Sequence, residues 1–291
     1  MPDVQELGRL LALVKFDASL NVIEGLDAFR RLLAKDAGGD VLQFLKREMA
    51  TLEGKRRGAI AFVLAEHYRQ TGDLANVQTL FAVDDAEVQE SVLNAPWGEP
   101  GANPQMGPGI VQLAVQGAVH PSPGVRTEAC YVFQNQCAWK VDVSSAVAPL
   151  QTLLDDQIPR VRHQAAFAVG NLAKRKYDMS SHVVPLRRNL KHEVNFVRDA
   201  SAWALWQLSR HKHDISSAVP DLVELLTDDD ESDRPRKNAA GALLHHARKS
   251  AGSAREVNKA VSRAKLDLNR REIKRFLDQL ANLRHPEARE P

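Results

Sequence analysis

Aromatic, amide and cationic side chains recur along this chain at a fixed interval, and these are side-chain types that build binding surfaces. Tyr131, Phe167 and Trp203 are 36 residues apart (167 − 131 = 36; 203 − 167 = 36). Aromatic rings supply rigid contact area, amides give directional hydrogen bonds, and cations attract acidic groups. The other candidates, which follow these rings at matching places in the copies, are Asn135, Asn171, Gln207, His245, Lys174, Arg210 and Arg248. The pattern predicts a binding surface that is repeated along the fold.

The histidines and cysteines do not form a pattern typical of catalysis or metal binding. His211 and His213 are two residues apart and cannot share a helix face, and His245 and His246 have no cysteine or acidic ligand beside them. The sequence contains no phosphate-binding loop and no nucleophile elbow. We therefore expect a protein that is not an enzyme and that needs neither a metal nor a cofactor.

The interval of 36 residues belongs to a longer repeated phrase. It reads DVSSAVAPL from Asp142, DMSSHVVPL from Asp178 and DISSAVPDL from Asp214. Each copy begins with two serines that can cap a helix, and then places apolar residues at i, i+3 and i+7. Such a period is typical of repeat architectures, in which each unit buries its apolar face against its neighbours. We call the predicted helices of these copies the A helices.

A second set of aligned segments follows the A helices. VRTEACYVFQNQCAWK begins at Val125, VRHQAAFAVGNLAKRK at Val161, VRDASAWALWQLSRHK at Val197 and PRKNAAGALLHHARKS at Pro235. The last segment starts two residues late, because the acidic connector 227–235 has absorbed an insertion at little cost. These segments are the predicted B helices. A low aromatic content of 5% also favours an all-α fold over a β-rich one.

A helical wheel separates the core side of the B helices from their outer side. At 100° per residue the core arc of the first B helix contains Val125, Ala129, Val132, Phe133 and Gln136, and the repeated aromatic lies roughly opposite. In a two-layer solenoid the B helices line the concave side, so the candidates should face a groove, with the aromatics on helices about 10 Å apart. Alternatively, the rings fill gaps between adjacent B helices, and the cations simply lie at favourable helix C-termini.

Over residues 106–250 the repeat resembles the HEAT repeat family, including its phycobilisome-lyase-type relatives. The resemblance rests on Pro149 and Pro185 in the A helices and on the Val-Arg pairs at 125–126, 161–162 and 197–198. It implies an all-α fold, a right-handed α-solenoid of antiparallel helix pairs, with its best-formed units near 108–140, 144–176, 180–212 and 216–250.

The resemblance also implies roles for individual residues. Arg162 would pair with Asp155 or Asp156, and Arg198 with Glu193, so that these arginines are structural. Deoxyhypusine hydroxylase, a HEAT-repeat enzyme, holds iron through several His-Glu pairs. This chain offers only His192–Glu193, which argues against that activity.

The chain outside the regular repeats is less periodic, and we expect no β-sheet in it. Residues 1–93 contain diverged helix pairs, at 41–68 and 74–93, behind a capping pair within 4–35. Four prolines and four glycines make 94–109 either a linker or a functional loop. Regular repeats then occupy 110–250, and capping helices occupy 251–291.

Charge is distributed unevenly although the formal net charge is only +2. Residues 1–105 contain 11 Lys and Arg against 16 Asp and Glu, whereas residues 231–291 contain 15 against 8. The basic end is either a partner-binding surface or a solvated helical cap. Cys130 and Cys137 are seven residues apart on one predicted helix, too far for a disulfide. With no leader and no long apolar run, we expect a cytoplasmic protein.

Two functional hypotheses follow from these patterns. The first is a non-catalytic scaffold or adaptor that binds a protein partner in its groove. The second is nucleic-acid binding, because HEAT-like alkylpurine DNA glycosylases use concave-face aromatic and basic residues on DNA. Trp203, Trp206, Lys174, Arg210 and Arg248 have suitable chemistry for it, with Asp199 one turn before Trp203. The acidic N-terminal third argues against a continuous phosphate track and favours the protein partner.

Overall fold

The protein is built from stacked helix pairs that form two compact units, Met1–Asp142 and Val143–Pro291. The computed structural model describes residues 4–12, 15–16, 22–24, 26–36, 39–97, 104–228, 232–264, 266–267 and 270–283. The all-α repeat architecture predicted from the sequence is confirmed.

The described residues of the first unit form eight α-helices. They are α1 (Val4–Ala12), α2 (Leu26–Leu33), α3 (Asp40–Thr51), α4 (Gly54–Thr71), α5 (Leu74–Phe81), α6 (Ala86–Asn94), α7 (Gly107–Gly117) and α8 (Pro123–Ala138). The predicted pairs at 41–68 and 74–93 correspond to α3–α4 and α5–α6. The second helix of each pair packs on the next one, so that α4 contacts α6 and α6 contacts α8.

Two details of the first unit correct the sequence prediction. Strands β1 (Lys15–Phe16) and β2 (Val22–Glu24) form a short antiparallel hairpin between α1 and α2, where only helices were expected. The irregular segment 94–109 is also shorter than predicted, because a 3₁₀ turn starts at Pro104 and α7 at Gly107. Residues 98–103, on which its role as a linker or functional loop depends, lie outside the described residues.

The second unit contains the most regular repeats. Its helices are α9 (Val147–Leu153), α10 (Pro159–Lys174), α11 (Val183–Asn189), α12 (Asn195–Arg210), α13 (Val219–Thr227), α14 (Asp233–Ala247), α15 (Ala251–Ser262) and α16 (Arg271–Ala281). The B helices α10, α12 and α14 pack side by side, and each contacts the A helix that precedes it. Because α15 contacts α13 and α16 contacts α14, a further pair continues both layers.

The core lies on the predicted side of the B helices. Val161, Ala165 and Val169 are inaccessible to solvent, as are Val197, Leu205 and Leu208, which belong to the same arc one repeat later. Close packing of this arc accounts for the many alanines in it, because small side chains let helices approach each other. The burial of this arc leaves the opposite side of α10, α12 and α14 facing outward, and we call that surface the B face.

The A helices start differently from the prediction. Each begins with a 3₁₀ turn, at Ser144–Ala146, Ser180–His182 and Ser216–Ala218. The capping group in the last two copies is the aspartate before the serines, since Asp178 Oδ1 and Asp214 Oδ1 each accept a hydrogen bond from a serine backbone N–H at 3.0 Å. The predicted serine caps are therefore replaced by Asp-Ser turns.

The repeated arginines are structural, as expected, but they bind backbone oxygens. Arg198 Nη1 donates to the carbonyls of His192 at 2.7 Å and Glu193 at 2.9 Å. Arg126 Nη1 makes the same pair of bonds, to His120 and Pro121, at 2.8 Å each. Arg162 donates to the carbonyl of Asp156. Each guanidinium thus ties the loop between an A helix and a B helix to the B helix through backbone carbonyls, where the prediction had side-chain carboxylates. Arg162 Nη1 also donates a 2.9 Å hydrogen bond to Asn189 Oδ1 of the next A helix.

Candidate binding surface on the B face

Two tryptophans of α12 hold the three B helices of the second unit together at the surface. Trp203 packs over Gly170 of α10, and a methyl group at Gly170 would overlap its ring. Trp206 packs over Gly241 of α14, where an added Cβ would lie 2.9 Å from the indole atom Cε2. Both rings remain partly accessible to solvent. The glycines therefore act as recesses that receive the two indoles.

These contacts follow from two positions of the repeat. The first position is occupied by Tyr131, Phe167, Trp203 and, after the two-residue shift, Gly241. The second position, three residues later, is occupied by Gln134, Gly170, Trp206 and Leu244. In the second unit the first position of one repeat faces the second position of the repeat before it. A ring at one position is matched by a glycine at the other, at Trp203–Gly170 and again at Trp206–Gly241.

Aromatic side chains continue from Trp203 along α10 and the start of α12. The rings of Phe167 and Trp203 have centroids 4.9 Å apart. His163 meets the rings of Phe167 and Phe196 edge-on, at 4.8 and 5.2 Å. Burial, followed by repulsion from Arg234 and Arg160, lowers the pKa of His163, which keeps this ring neutral near pH 7. We call His163, Phe167, Phe196 and Trp203 the aromatic cluster.

Cations cover the outer side of both tryptophans. Lys174 Nζ lies 4.6 Å from the centroid of Trp203 and donates a 3.3 Å hydrogen bond to Asn171 Oδ1. Arg210 Cζ lies 5.9 Å from the centroid of Trp206. Burial, followed by repulsion from Arg210, lowers the pKa of Lys174. A cation held on an indole face in this way is positioned for an anionic or polar group of a ligand.

Most of the predicted site residues in the second unit reach the B face. Phe167, Asn171, Trp203 and His245 are partly exposed, and Lys174, Arg210 and Arg248 are exposed. Tyr131 and Asn135 lie on α8 of the first unit, and both are exposed there. The aromatics were expected as separate rungs about 10 Å apart. In the second unit Phe167 and Trp203 instead lean toward each other and touch.

Gln207 is the one predicted site residue that the structure removes from the surface. Its side chain is only 2% exposed. On the helical wheel it lies about 60° from the nearest core position, close enough for neighbouring helices to cover it. Its carboxamide oxygen has no hydrogen-bond partner among the described residues. Gln207 therefore belongs to the packed interior and not to the candidate surface.

Several residues of this surface were not predicted from the sequence. His163 and Phe196 were not singled out, although His163 lies one helical turn before Phe167. The glycines at 170 and 241 were also missed. Glycine is unfavourable in the middle of a helix, so its presence there is a signal of close packing that the sequence did offer.

No metal site is evident in the described part of the chain, where no three His, Cys, Asp or Glu side chains are grouped as ligands would be. His192 Nδ1 accepts a 3.0 Å hydrogen bond from the backbone N–H of Val194, which gives this histidine a structural role. Among the described residues, no helix combines the length and the apolar character that a membrane crossing requires.

The geometry defines an α-helical repeat protein, and comparison with known proteins agrees. The model of a family described as HEAT repeats matches residues 147–244, which run from α9 into α14. This stretch is therefore a set of HEAT repeats, as the sequence resemblance implied. No curated protein sequence matches the chain.

Solved structures of repeat proteins share the fold. The E. coli protein YibA matches with a TM-score of 0.62 and 20% identity, over 95% of this chain and 92% of its own. An engineered protein matches with a TM-score of 0.62 and 21% identity, over 96% of this chain and 78% of its own. A designed armadillo repeat protein in complex with the peptide (KR)4 matches with a TM-score of 0.59 and 22% identity, over 72% and 97%.

Proposed function

We propose that this protein is a non-catalytic scaffold or adaptor whose B face binds a segment of a protein partner. The observation that carries the proposal is the partly exposed indole of Trp203, held between Gly170, Phe167 and Lys174. Rigid aromatic side chains with a cation beside them are typical centres of protein interfaces. Their mutual packing fixes the rings before a partner arrives, which reduces the entropy lost on binding.

The fold supports this proposal in a general way. The designed armadillo repeat protein that shares the fold is in complex with a peptide. Repeat solenoids present extended surfaces made of equivalent positions, which suits the binding of extended segments. A reducing, cytoplasmic environment is part of the proposal, and the buried cysteines Cys130 and Cys137, which form no disulfide in the described part of the chain, are in keeping with it.

Nucleic-acid binding is the less favoured alternative. Its support is the presence of Trp203 and Trp206 with cations beside them. Base chemistry would need an available carboxylate, and Asp199 is the acidic residue nearest to Trp203 along α12. Asp199 is 5% exposed, accepts a 2.7 Å hydrogen bond from Asn238 and lies 3.0 Å from Arg234 Nε. These partners account for Asp199 as a structural link between α12 and α14.

The first test is affinity capture from the native cell with the wild-type chain and two tryptophan variants. Trp203→Ala removes the centre of the proposed surface. Trp139→Ala removes an indole that is 53% exposed at the end of α8, and it is the matched control. We expect Trp203→Ala to reduce recovery of a specific protein by tenfold or more, as truncation of an interface centre does, and Trp139→Ala to leave it unchanged.

The same experiment separates the two hypotheses. Partner recovery that persists after nuclease treatment supports protein binding, whereas recovery that nuclease abolishes supports the alternative. Because Trp203→Ala leaves a gap over Gly170, its melting temperature is measured alongside. Lys174→Ala provides a second variant that removes the cation without opening the packing. A partner retained equally by all variants would show that the aromatic cluster is not the binding surface.

A further inference from the structure

An open groove runs along α14 between α12 and α16, and no residue of the aromatic cluster lines it. Its volume is about 860 Å³. Ala240 and Gly241 form its floor, Trp206 stands on one side, and Arg271 and Arg275 of α16 stand on the other. The lining residues of α14 extend from Asp233 to Leu244. At 1.5 Å per residue this stripe is about 16 Å long, which suits about five residues of extended peptide.

The groove exists because one repeat breaks the pattern of the others. Gly241 occupies the position that holds Tyr131, Phe167 and Trp203 in the preceding repeats. Because Gly241 has no side chain, the indole of Trp206 packs over it from α12 and forms one wall of the groove. The floor is therefore small and apolar with an aromatic wall, a shape that accepts a bulky apolar side chain from a ligand.

The charges around the groove are mainly positive. Arg271, Arg275 and Lys237 line it, and the three side chains are exposed. Asp233 is the carboxylate among the described lining residues, and it is already engaged, at 3.0 Å from Arg236 and 4.0 Å from Lys237. Within the described part of the chain neither Arg271 nor Arg275 has an ion pair or a hydrogen bond from its side chain. Two uncommitted guanidinium groups thus face an apolar floor.

We propose that this groove binds an acidic segment of a partner protein, with one apolar side chain seated beside Ala240, against the indole of Trp206 that covers Gly241. Carboxylates on either side of that anchor pair with Arg271 and Arg275, whose planar guanidinium groups can bind a carboxylate through two parallel hydrogen bonds. This inference rests on the proposed function, since it assumes a protein partner, and it adds the chemistry of the segment that is recognised.

The test uses the full chain and a fluorescein-labelled peptide of sequence EDDLFEDE, which combines an apolar anchor with acidic flanks. Fluorescence anisotropy measures its binding at two salt concentrations. A charge-reversed peptide, KKKLFKKK, and a labelled single-stranded oligonucleotide are measured in parallel. We expect saturable binding of the acidic peptide that weakens with salt, and no saturable binding of the basic peptide.

Paired charge variants locate the site. The double substitution Arg271→Glu and Arg275→Glu reverses the charge on the α16 side of the groove. The double substitution Arg255→Glu and Arg263→Glu makes the same change of net charge at exposed positions on and just after α15. We expect the first pair of substitutions to reduce the affinity for the acidic peptide at least tenfold. The second pair should reduce this affinity less than twofold. Lys237→Glu, on α14, should also reduce the affinity for the acidic peptide. Because this substitution leaves α16 unchanged, its effect does not depend on how α16 packs.

Three outcomes would overturn the inference. The first is that the wild-type chain does not bind the acidic peptide. The second is that both pairs of charge-reversal substitutions reduce its affinity for this peptide equally. The third is that the oligonucleotide binds more tightly than the acidic peptide through Arg271 and Arg275. If a captured partner still depends on Trp203 while the acidic peptide fails to bind, the inference falls and the proposed function stands. If the peptide binds through Arg271 and Arg275 while capture is insensitive to Trp203, the aromatic cluster is not the binding surface.

Discussion

Single residues on the B face are matched in pairs across neighbouring helices. A tryptophan at one repeat position requires a residue without a side chain at the facing position, and Gly170 and Gly241 provide it. This matching explains why two glycines are kept in the middle of α10 and α14 despite a cost of about 1 kcal/mol each relative to alanine. The surface is therefore ordered by packing, and its rings are held in place before any partner binds.

The first prediction tests this matching at Gly170. Gly170→Ala gains helix propensity, but its methyl group overlaps the ring of Trp203. Because the indole is bulky and already packed against Phe167, we expect the clash to prevail, with a loss of about 1–3 kcal/mol in the free energy of unfolding. Urea denaturation measures the loss, and tryptophan emission reports the displacement of the ring.

Gly252→Ala is the matched control for this change. The nearest atom to a Cβ at Gly252, near the start of α15, is Ser250 Oγ at 3.5 Å, which is ordinary contact. We expect this variant to keep or slightly raise the stability of the wild-type chain. If Gly170→Ala behaved in the same way, Trp203 would not be confined by the recess.

At the residue scale the sequence predicts which rings lie on the B face but not how they are arranged. The period of 36 identified Phe167 and Trp203, and the helical wheel identified the buried arc. It could not show that the rings touch, since the spacing of helix axes does not determine which way a side chain leans. Gln207 was misplaced for a related reason, because the wheel describes one helix and not the neighbours that cover its flank.

The elements of the repeat end in an unusual way. Lys140, Lys176 and Lys212 follow the B helices α8, α10 and α12 and adopt left-handed backbone conformations, with φ of 64°, 68° and 73°. Glycine is the usual residue at such a position, and other residues lose about 1–2 kcal/mol there. The turn is needed because the chain must reverse within a few residues to start the next A helix at its Asp-Ser turn.

The second prediction follows from this strain. Lys176→Gly relieves the left-handed conformation, and because glycine also increases the entropy of the unfolded chain, we expect a net gain of up to about 1 kcal/mol in stability. Lys259→Gly is the control, since Lys259 is exposed within α15 and the change should cost about 1 kcal/mol there. Thermal and chemical denaturation compare the two. An equal loss of stability in Lys176→Gly and Lys259→Gly would contradict the assignment of strain to Lys176.

Helix prediction from the sequence succeeded where the apolar period was long and failed where it was short. All of the regular A and B helices were predicted, because stripes at i, i+3 and i+7 extend over about two turns and recur in each copy. The hairpin of β1 and β2 was not predicted, because strands of two and three residues are too short to show a period of two. The aspartate caps were overlooked because the two serines beside them are equally good capping residues by type.

At the scale of the whole molecule, histidines couple stability to pH. Burial is the main cause of a lowered pKa in seven histidines of the described part of the chain, namely His67, His163, His182, His192, His211, His213 and His245. A histidine with a lowered pKa in the folded state binds fewer protons than it does in the unfolded chain, where its pKa is about 6.5. The stability contributed by its neutral form is therefore complete above about pH 6.5 and is lost as the pH falls below that value.

The last prediction assigns a distinct part of this pH dependence to His182. Its side chain is inaccessible to solvent, its Nε2 lies 2.9 Å from the carbonyl oxygen of Val147, and the titratable groups near it are Asp178 and His213. The corresponding residue is Ala146 in the preceding repeat and Ala218 in the following one, so His182→Ala uses a side chain that the fold already accepts there. Between pH 7.5 and 5.5 we expect the melting temperature of the wild-type chain to fall, and that of His182→Ala to fall less. The control is His245→Ala, at a partly exposed position, whose melting temperature should depend on pH more nearly as that of the wild-type chain does. An unchanged slope in His182→Ala would mean that protonation of this buried ring does not contribute to the loss of stability in acid.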